Sequence, residues 1–331
     1  MSSNFDVPLS TLKLNAKILK ELNLINYGST KDFQGVELTD LGQTILSLIS
    51  NENLSVLGHI VTTQSGPQYL GAIINDVRKN ILRMIAEAGS GHLGGSYSAV
   101  EILTVLYFLR MRHNPNNPEW KRRDRFILSK GHSVPALYAI LAEAGYFPMN
   151  KLFELRKFHS ILQGHPHIIT PGIDAVSGSL GQGLSIGNGM AIGAKMDGTD
   201  NKIYVLLGDG ELNEGQIWEA AMTASHYKLD NIVAIIDRNG YQLSGRTEDI
   251  KALEPLANKW KSFGWNVLEI DGNNPEQILM ALKKSDMVKG MPTVIIAKTT
   301  KGKGVPFMEG NVFSKKAPNR KELQQALEIL E

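Results

Sequence analysis

Two apolar runs in the middle of the chain, Ile203-Tyr204-Val205-Leu206-Leu207 and Ile232-Val233-Ala234-Ile235-Ile236, are continuous rather than alternating in hydrophobicity. A strand buried on both faces reads this way, so both are predicted strands of a parallel sheet. The segment between them accommodates one crossover helix, which makes the unit β-α-β and right-handed. Shorter apolar runs at Phe126-Ile127-Leu128, Trp265 to Ile270 and Thr293 to Ala297 predict three further strands. Apolar positions at helical spacing predict helices over Ala72 to Ala88, Ser98 to Arg112, Ala136 to Ala144, Leu184 to Lys195 and Asn319 to Glu331. Strands alternating with helices make residues 61–331 one α/β domain, a central mostly parallel sheet flanked by helices.

The first 60 residues have a different pattern. Leu12, Leu14, Ile18, Leu19, Leu22, Leu24 and Ile25 fall at roughly helical spacing, and a polar, glycine-containing stretch follows from Gly28 to Gly35. Val36-Glu37-Leu38-Thr39-Asp40-Leu41-Gly42 then leads into Ile45, Leu46, Leu48 and Ile49, with Thr39 or Asp40 suited to cap that helix. The Leu-Thr-Asp-Leu-Gly segment resembles the strand-to-helix entry of small winged-helix domains. Few basic residues cluster here, and a nucleic-acid reader needs phosphate neutralisation. A docking or oligomerisation role is therefore favoured over DNA contact.

Composition removes several chemistries. The 331-residue chain has no cysteine, so disulfides, thiolate metal sites and thiol nucleophiles are excluded. Any metal must bind through oxygen or imidazole. A net charge of +2, from 35 basic and 33 acidic residues, argues against a protein that coats polyanions. No basic-then-apolar leader opens the chain and no run approaches the ~18 apolar residues of a membrane span, so a cytoplasmic protein is expected.

The chemistry concentrates where the predicted strands end. The first long apolar run breaks into Gly208-Asp209-Gly210 and the second ends in Asp237-Arg238-Asn239. The β-α-β geometry places Asp209 and Asn239 at the carboxyl ends of neighbouring strands, where open α/β sheets bind ligands. One carboxylate and one carboxamide suit a divalent cation such as Mg²⁺, whose octahedron phosphate oxygens and water complete. The glycines suit a turn that cradles phosphate at a helix N-terminus. Three histidines sit beside small or rigid residues, in Gly91-His92-Leu93-Gly94-Gly95, Lys130-Gly131-His132 and Gly164-His165-Pro166. Histidine donates to oxyanions and moves protons near neutral pH. The glycine stretch Ser177-Gly178-Ser179-Leu180-Gly181-Gln182-Gly183 is a poor dinucleotide fingerprint, because the third glycine would fall at Ile186 and no strand precedes it.

Taken in order, these segments resemble the transketolase family. Ser90-Gly91-His92, Asn114-Pro115-Asn116-Asn117-Pro118-Glu119-Trp120 with Arg123-Asp124-Arg125-Phe126, Gly131-His132, Gly164-His165-Pro166, Gly181-Gln182-Gly183 and Gly208-Asp209-Gly210 occur in the family's order. So do Phe263-Gly264-Trp265 and Lys301-Gly302-Lys303-Gly304. The spacing from Gly208-Asp209-Gly210 to Asn239 is that of the thiamine diphosphate fingerprint, with Arg238 where the family pattern usually has a first asparagine. The resemblance covers about residues 70–318 and so only the first, diphosphate-binding domain of a full-length transketolase.

What the resemblance implies is specific. The fold is the thiamine-diphosphate-binding fold, preceded by the winged-helix-like domain of residues 1–60. Asp209, the Asn239 side chain and the Tyr241 carbonyl hold Mg²⁺, or Ca²⁺ or Mn²⁺ in its place. His132, Gly208, Gly210 and Glu211 belong to the diphosphate site, and Gly178, Ser179 and Leu180 line the aminopyrimidine and thiazolium region. His92 and His165 reach the sugar hydroxyls and assist proton transfers, and Glu214 sits at the subunit contact near the partner's catalytic glutamate. The implied activity is transfer of a two-carbon ketol unit from a ketose phosphate to an aldose phosphate, in carbohydrate metabolism of the pentose phosphate type. A second polypeptide would supply the pyrimidine-binding domain and the catalytic glutamate, in an α2β2 heterotetramer. One departure bears on the donor. Where transketolases have Trp-His-Gly-Lys-Ala-Pro, this chain reads Phe313-Ser314-Lys315-Lys316-Ala317-Pro318, so Ser314 replaces a histidine that touches cofactor and donor. Two alternatives stay open: a related thiamine-diphosphate enzyme half with another donor, and a cofactor-binding regulator with a winged-helix head.

Overall fold

The computed structural model describes residues 25–26, 37–38, 66–310 and 317–331. The chain divides into two compact units, Met1–Ala72 and Ile73–Glu331. In the first, β1 (Ile25–Asn26) and β2 (Glu37–Leu38) pair antiparallel, with Ile25 opposite Leu38. The rest of the winged-helix reading, and the replacement at Ser314, lie outside the described residues.

The second unit is built on a parallel sheet. Its strands are β3 (Arg125–Leu128), β4 (Ile203–Gly208) and β5 (Ile232–Arg238), followed after a small hairpin by β8 (Asn266–Asp271) and β9 (Thr293–Lys298). The hairpin pairs β6 (Tyr241–Gln242) with β7 (Gly245–Arg246). The sheet runs β3-β4-β5-β9-β8, with every neighbouring pair parallel. Register sets Ile127 beside Val205, Val205 beside Ala234, and Ala234 beside Val294. All five predicted strands are present.

Side chains alternate between two covered faces, which is why the strands read as unbroken apolar runs. On one face Ile127, Val205, Leu207, Ile232, Ala234 and Ile236 form a core with three helices. These are α5 (Gln182–Met196), α6 (Gly215–His226) and α7 (Leu256–Ser262). Gly187 lets α5 approach closely, since a Cβ there would lie 2.7 Å from Val205 Cγ2. On the other face Tyr204, Leu206, Val233, Ile235 and Ile295 are equally buried.

Further helices are α1 (Gly66–Ala88), α2 (Leu93–Tyr97), α3 (Val100–Val105), α4 (Val134–Glu143), α8 (Pro275–Met287) and α9 (Arg320–Ile329), with one more turn at Thr247–Ile250. Helix α8 packs on β8, β9 and α3. Its start is fixed by Asn274, whose side chain accepts from the backbone N–H groups of Glu276 (3.0 Å) and Gln277 (3.1 Å), with Pro275 at the first turn. Asn319 and Glu322 form a capping box at the start of α9.

The predicted helix over Ser98 to Arg112 needs correction. The structure breaks it into α3 and a π-helical turn, Leu106–Arg110, and places α2 immediately before it. Most of this region is buried all round, so its apolar pattern has no polar stripe to mark where one helix ends. Helices α7 and α8 were not anticipated from the pattern. Among the described residues no helix is long and apolar enough to cross a membrane.

Candidate functional site

Four strands deliver their carboxyl ends to one cavity of about 440 Å³. From β3 the chain passes through Ser129 and Lys130, still bonded through their N–H groups to the Leu206 carbonyl (2.9 and 3.3 Å), into the turn that carries His132. From β4 come Gly208 and Asp209, then the 3-10 turn Gly210–Asn213. From β5 come Asp237, Arg238 and Asn239, and from β9 the segment that carries Thr299 and Lys301. His92 just before α2, Gly95 within α2, and Gly178 and Leu180 in the loop before α5 close the cavity.

The sequence-predicted residues largely converge here. His92, His132, Gly178, Leu180, Gly208, Asp209, Gly210, Glu211, Glu214, Asn239 and Tyr241 all line the cavity. His92 and His132 stand edge to face with ring centroids 5.1 Å apart. His165 and Ser179 are exposed and are not part of the lining, although a Cβ on Gly178 would lie 3.5 Å from the His165 ring. The lining also includes Lys130, Asn213, Gln242, Leu243 and Lys301, none of which the sequence had marked as site residues. The Lys301 ammonium lies 5.4 Å from the centre of the Tyr241 ring.

Beneath the cavity floor lies a buried charge pair. Asp237, fully buried, receives the Lys130 ammonium, the Thr299 hydroxyl, the Ser98 hydroxyl (2.7 Å) and the Asn239 amide Nδ2 (3.1 Å). Lys130 also donates to the Gly95 carbonyl at 2.8 Å. Burial opposes charge on Asp237, yet the Lys130 ammonium and these donors hold its carboxyl below the usual range. One carboxylate thus ties the ends of β3, β5 and β9 to the end of α2. It also turns the Asn239 amide nitrogen away, leaving Oδ1 to accept from the Tyr241 N–H at 3.0 Å.

Glu211 is a second hub. Its carboxylate accepts from the Ser129 hydroxyl, the Gly181 N–H (2.9 Å) and the Gly208 N–H (2.9 Å). Burial pushes its carboxyl up, and these bonds pull the other way. The side chain therefore clamps the 177–183 loop against β3 and β4. Gly181 is in the left-handed region at φ +87°, where a Cβ would lie 2.9 Å from Glu214 Cβ.

Asp209 is the carboxylate at the front of the site, 1% exposed. It accepts from the N–H groups of Gly240 (2.6 Å) and Gly210 (3.0 Å) and from Arg238 Nη1 (3.2 Å). Arg238 is shared with Thr247 (2.7 Å), Glu248 (2.6 Å) and Glu254 (3.2 Å), so its charge is divided. Burial and the neighbouring Asp237 charge raise the Asp209 carboxyl to about 6. Such a group gains from an added cation.

Among the described residues no cluster of three or more histidine and carboxylate side chains could hold a metal. The oxygen donors at this position are one carboxylate, one carboxamide and one backbone carbonyl, a hard set that fits Mg²⁺ better than a transition metal. Burial is the main force lowering His132, to about 3, with Lys130 and His92 adding repulsion. It is neutral at physiological pH and can donate to an anion without carrying charge. His92 is lowered by burial and then by Arg156, His165 and Lys301. The buried Ser133 hydroxyl has no protein partner, and a Cβ on Gly95 would lie 3.1 Å from it. The donor set and the histidine pair fit a diphosphate–cation complex in size and chemistry.

Comparison with known proteins agrees with that chemistry. Residues 71–328 match the family model described as the transketolase, thiamine diphosphate binding domain. An apulose-4-phosphate transketolase subunit of Phocaeicola vulgatus is 49% identical over 233 residues, covering 70% of this chain and 83% of that protein. The 6-deoxy-6-sulfo-D-fructose transketolase subunit SqwG of Clostridium sp. is 46% identical over 253 residues, covering 76% and 92%. The crystal structure of Campylobacter jejuni transketolase superposes with a TM-score of 0.75 at 36% identity, covering 80% of this chain but 43% of that one. The chain thus matches less than half of that transketolase and most of each of the two subunits. With its parallel sheet and a cavity at the strand ends, the chain belongs to the transketolase family, as a carrier of the thiamine diphosphate-binding domain.

Proposed function

We propose that this chain is the diphosphate-binding subunit of a two-polypeptide transketolase, moving a two-carbon ketol unit from a ketose to an aldose. The observation that carries the reading is the convergence of Asp209, Asn239 and Tyr241 with His92 and His132 on one cavity, in a chain that matches 83% and 92% of the length of two transketolase subunits. Bound thiamine diphosphate supplies the carbanion and electron sink for breaking and making the carbon–carbon bond.

The protein's own residues bind, orient and move protons. Asp209, the Asn239 side-chain oxygen and the Tyr241 carbonyl would hold Mg²⁺, with Ca²⁺ or Mn²⁺ able to satisfy the same oxygens. Neutral His132 donates one N–H to the diphosphate while Gly208 and Gly210 keep the backbone close to it. Glu211 acts as a positioning residue, because its carboxylate already serves three protein donors. Gly178 and Leu180, which line the cavity, with Ser179 between them on the exposed side, would meet the ring portion of the cofactor. His92, kept neutral by burial and nearby cations, accepts a proton from a substrate hydroxyl and returns it. His165 performs the same service from the exposed side.

Glu214 caps no backbone group at the start of α6 and is exposed, which suits a contact with a second polypeptide. That partner supplies the pyrimidine-binding domain and the glutamate that activates the cofactor, in an α2β2 assembly in the cytoplasm. The substrates are sugar phosphates or similarly anionic sugars, in keeping with the apulose-4-phosphate and sulfofructose named for the two relatives.

The test is ketol transfer from xylulose 5-phosphate to ribose 5-phosphate with thiamine diphosphate and Mg²⁺. It is run with the chain alone and with its coexpressed companion. Activity confined to the pair is expected; robust turnover by the chain alone would overturn the split-subunit reading.

A further inference from the structure

We infer that Arg238 is a positioning residue for the cation site: its guanidinium holds one oxygen of the Asp209 carboxylate, leaves the other for the metal, and fixes the turn that carries Asn239 and Tyr241. The inference rests on the assignment of those three residues to Mg²⁺ in the reading above and adds what sets their geometry.

Arg238 stands where the chain departs from the thiamine diphosphate fingerprint, and nothing in the proposed chemistry uses it. It closes β5, between Asp237 and Asn239. Side chains alternate along a strand, so Asp237 turns toward Lys130 and Ser98 while Arg238 turns the other way, toward the Thr247–Ile250 turn. Its side chain is 10% exposed. Nη1 donates to Asp209 Oδ2 (3.2 Å) and the Thr247 hydroxyl (2.7 Å), and Nη2 to Glu248 (2.6 Å) and Glu254 (3.2 Å). Every Nη proton of the planar fork is thus committed.

The division of donors over Asp209 is uneven. Oδ2 accepts from Arg238 and from the Gly240 N–H at 2.6 Å, whereas Oδ1 accepts from the Gly210 N–H at 3.0 Å. A carboxylate oxygen has about two in-plane sites, so the open one is on Oδ1. The same guanidinium braces the turn beyond β5. Glu248, held by Nη2, accepts from the Leu253 N–H at 3.2 Å, and the Thr247 N–H donates to the Gly240 carbonyl at 3.0 Å. Gly240 bends the backbone at φ +80°, with Asn239 and Tyr241 on either side of it. One fork therefore places all three oxygen donors.

Charge alone predicts the opposite effect on the metal. A guanidinium beside a cation site repels the cation, so its removal would tighten binding if its field were its whole contribution. Positioning predicts weakening, most for Mg²⁺, which demands a near-ideal octahedron, and less for Ca²⁺, whose coordination is flexible.

The experiment uses the assembled pair of subunits, stripped of metal and given saturating thiamine diphosphate. Mg²⁺ and Ca²⁺ affinities are measured by calorimetry for wild type, Arg238→Met and Arg238→Lys. In Arg238→Met, Mg²⁺ affinity should fall about 10- to 100-fold, the usual effect of losing a group that orients a ligating carboxylate, and the preference for Mg²⁺ over Ca²⁺ should fall about tenfold. Arg238→Lys keeps the charge but not the fork. It should shift both quantities the same way by smaller factors, and it decides the matter if Arg238→Met does not fold. Unchanged or tighter Mg²⁺ binding, or equal losses for both cations, would overturn the proposal and leave the ketol-transfer reading standing. A wild-type pair that binds no thiamine diphosphate with either cation would overturn that reading and this inference with it.

Discussion

Replacing Lys130 with methionine isolates the buried pair under the site. The substitution keeps the volume and removes the cation that Asp237 faces. Asp237 retains the Ser98, Thr299 and Asn239 donors, and Gly95 loses its ammonium donor. Removing one member of a buried ion pair costs about 3–5 kcal/mol, because the charge left behind is uncompensated. The Gly95 carbonyl keeps the Ser98 hydroxyl, at 3.2 Å, as a donor. In wild type the folded carboxyl of Asp237 is held low, so its stabilisation is present above the unfolded value and is lost only as pH falls through the folded one. In Lys130→Met the balance reverses: burial is no longer offset, the folded carboxyl rises above its unfolded value, and the penalty grows as pH rises. Urea denaturation of the purified proteins should show a deficit of about 4 kcal/mol at pH 8 and a clearly smaller one at pH 5. Adding Asp237→Asn to Lys130→Met should recover about half of the deficit, since no buried charge then remains. A deficit under about 1 kcal/mol at pH 8, or one independent of pH, would refute the assignment of this pair as the electrostatic anchor of the strand ends.

Three further outcomes follow from the geometry. Gly181→Ala adds a Cβ at a left-handed position 2.9 Å from Glu214 Cβ, so a loss of about 1–3 kcal/mol is expected in denaturant, and wild-type stability would count against that packing. Asp209→Ala should weaken Mg²⁺-dependent thiamine diphosphate binding by about 100-fold in calorimetry, the scale of a lost buried charge interaction. Because the free Asp209 carboxyl titrates near 6, wild-type binding should also weaken below that pH by up to about tenfold per unit, while a flat profile would exclude Asp209 as ligand. Glu143 is raised to about 7 by burial and by Asp76, against the Asn80 amide donor at 2.9 Å. A raised folded value means stability present below the unfolded one and lost as pH rises through about 7. Glu143→Gln should remove about 1–2 kcal/mol of the decline seen between pH 5 and pH 8.5, after allowing for solvent screening, and identical thermal midpoint curves would refute this.

The predicted strands, their burial and much of the site were legible because each leaves a local signal. The runs at 203–207 and 232–236 could only be strands covered on both faces, and the turns after them carry Asp209 and Asn239 within a few residues of the strand ends. The histidines were visible through their glycine neighbours. Helices α2, α7 and α8 leave weaker local signals: α2 and α7 are short segments, and the pattern of α8 is interrupted by lysines. The run from Ser98 to Arg112 read as one helix because burial on nearly all sides over most of its length erases the periodicity that would mark its break.

By itself the sequence determined which segments are strands and marked most of the residues that line the cavity at their ends, because hydrogen-bond periodicity and burial act over a few neighbouring positions. Strand order was decided only in three dimensions: β9 enters between β5 and β8, which brings Thr299 and Lys301 to the site. So was the partnership of Lys130 with Asp237, 107 positions apart; in sequence the lysine is an ordinary loop cation between a serine and a glycine. The same holds for Glu211, whose carboxylate reads as a ligand beside Gly208-Asp209-Gly210 and is in fact spent on Ser129, Gly181 and Gly208. The physical reason is common to all three. A buried charge must find its partner wherever the packed chain places one, and no local pattern encodes that distance.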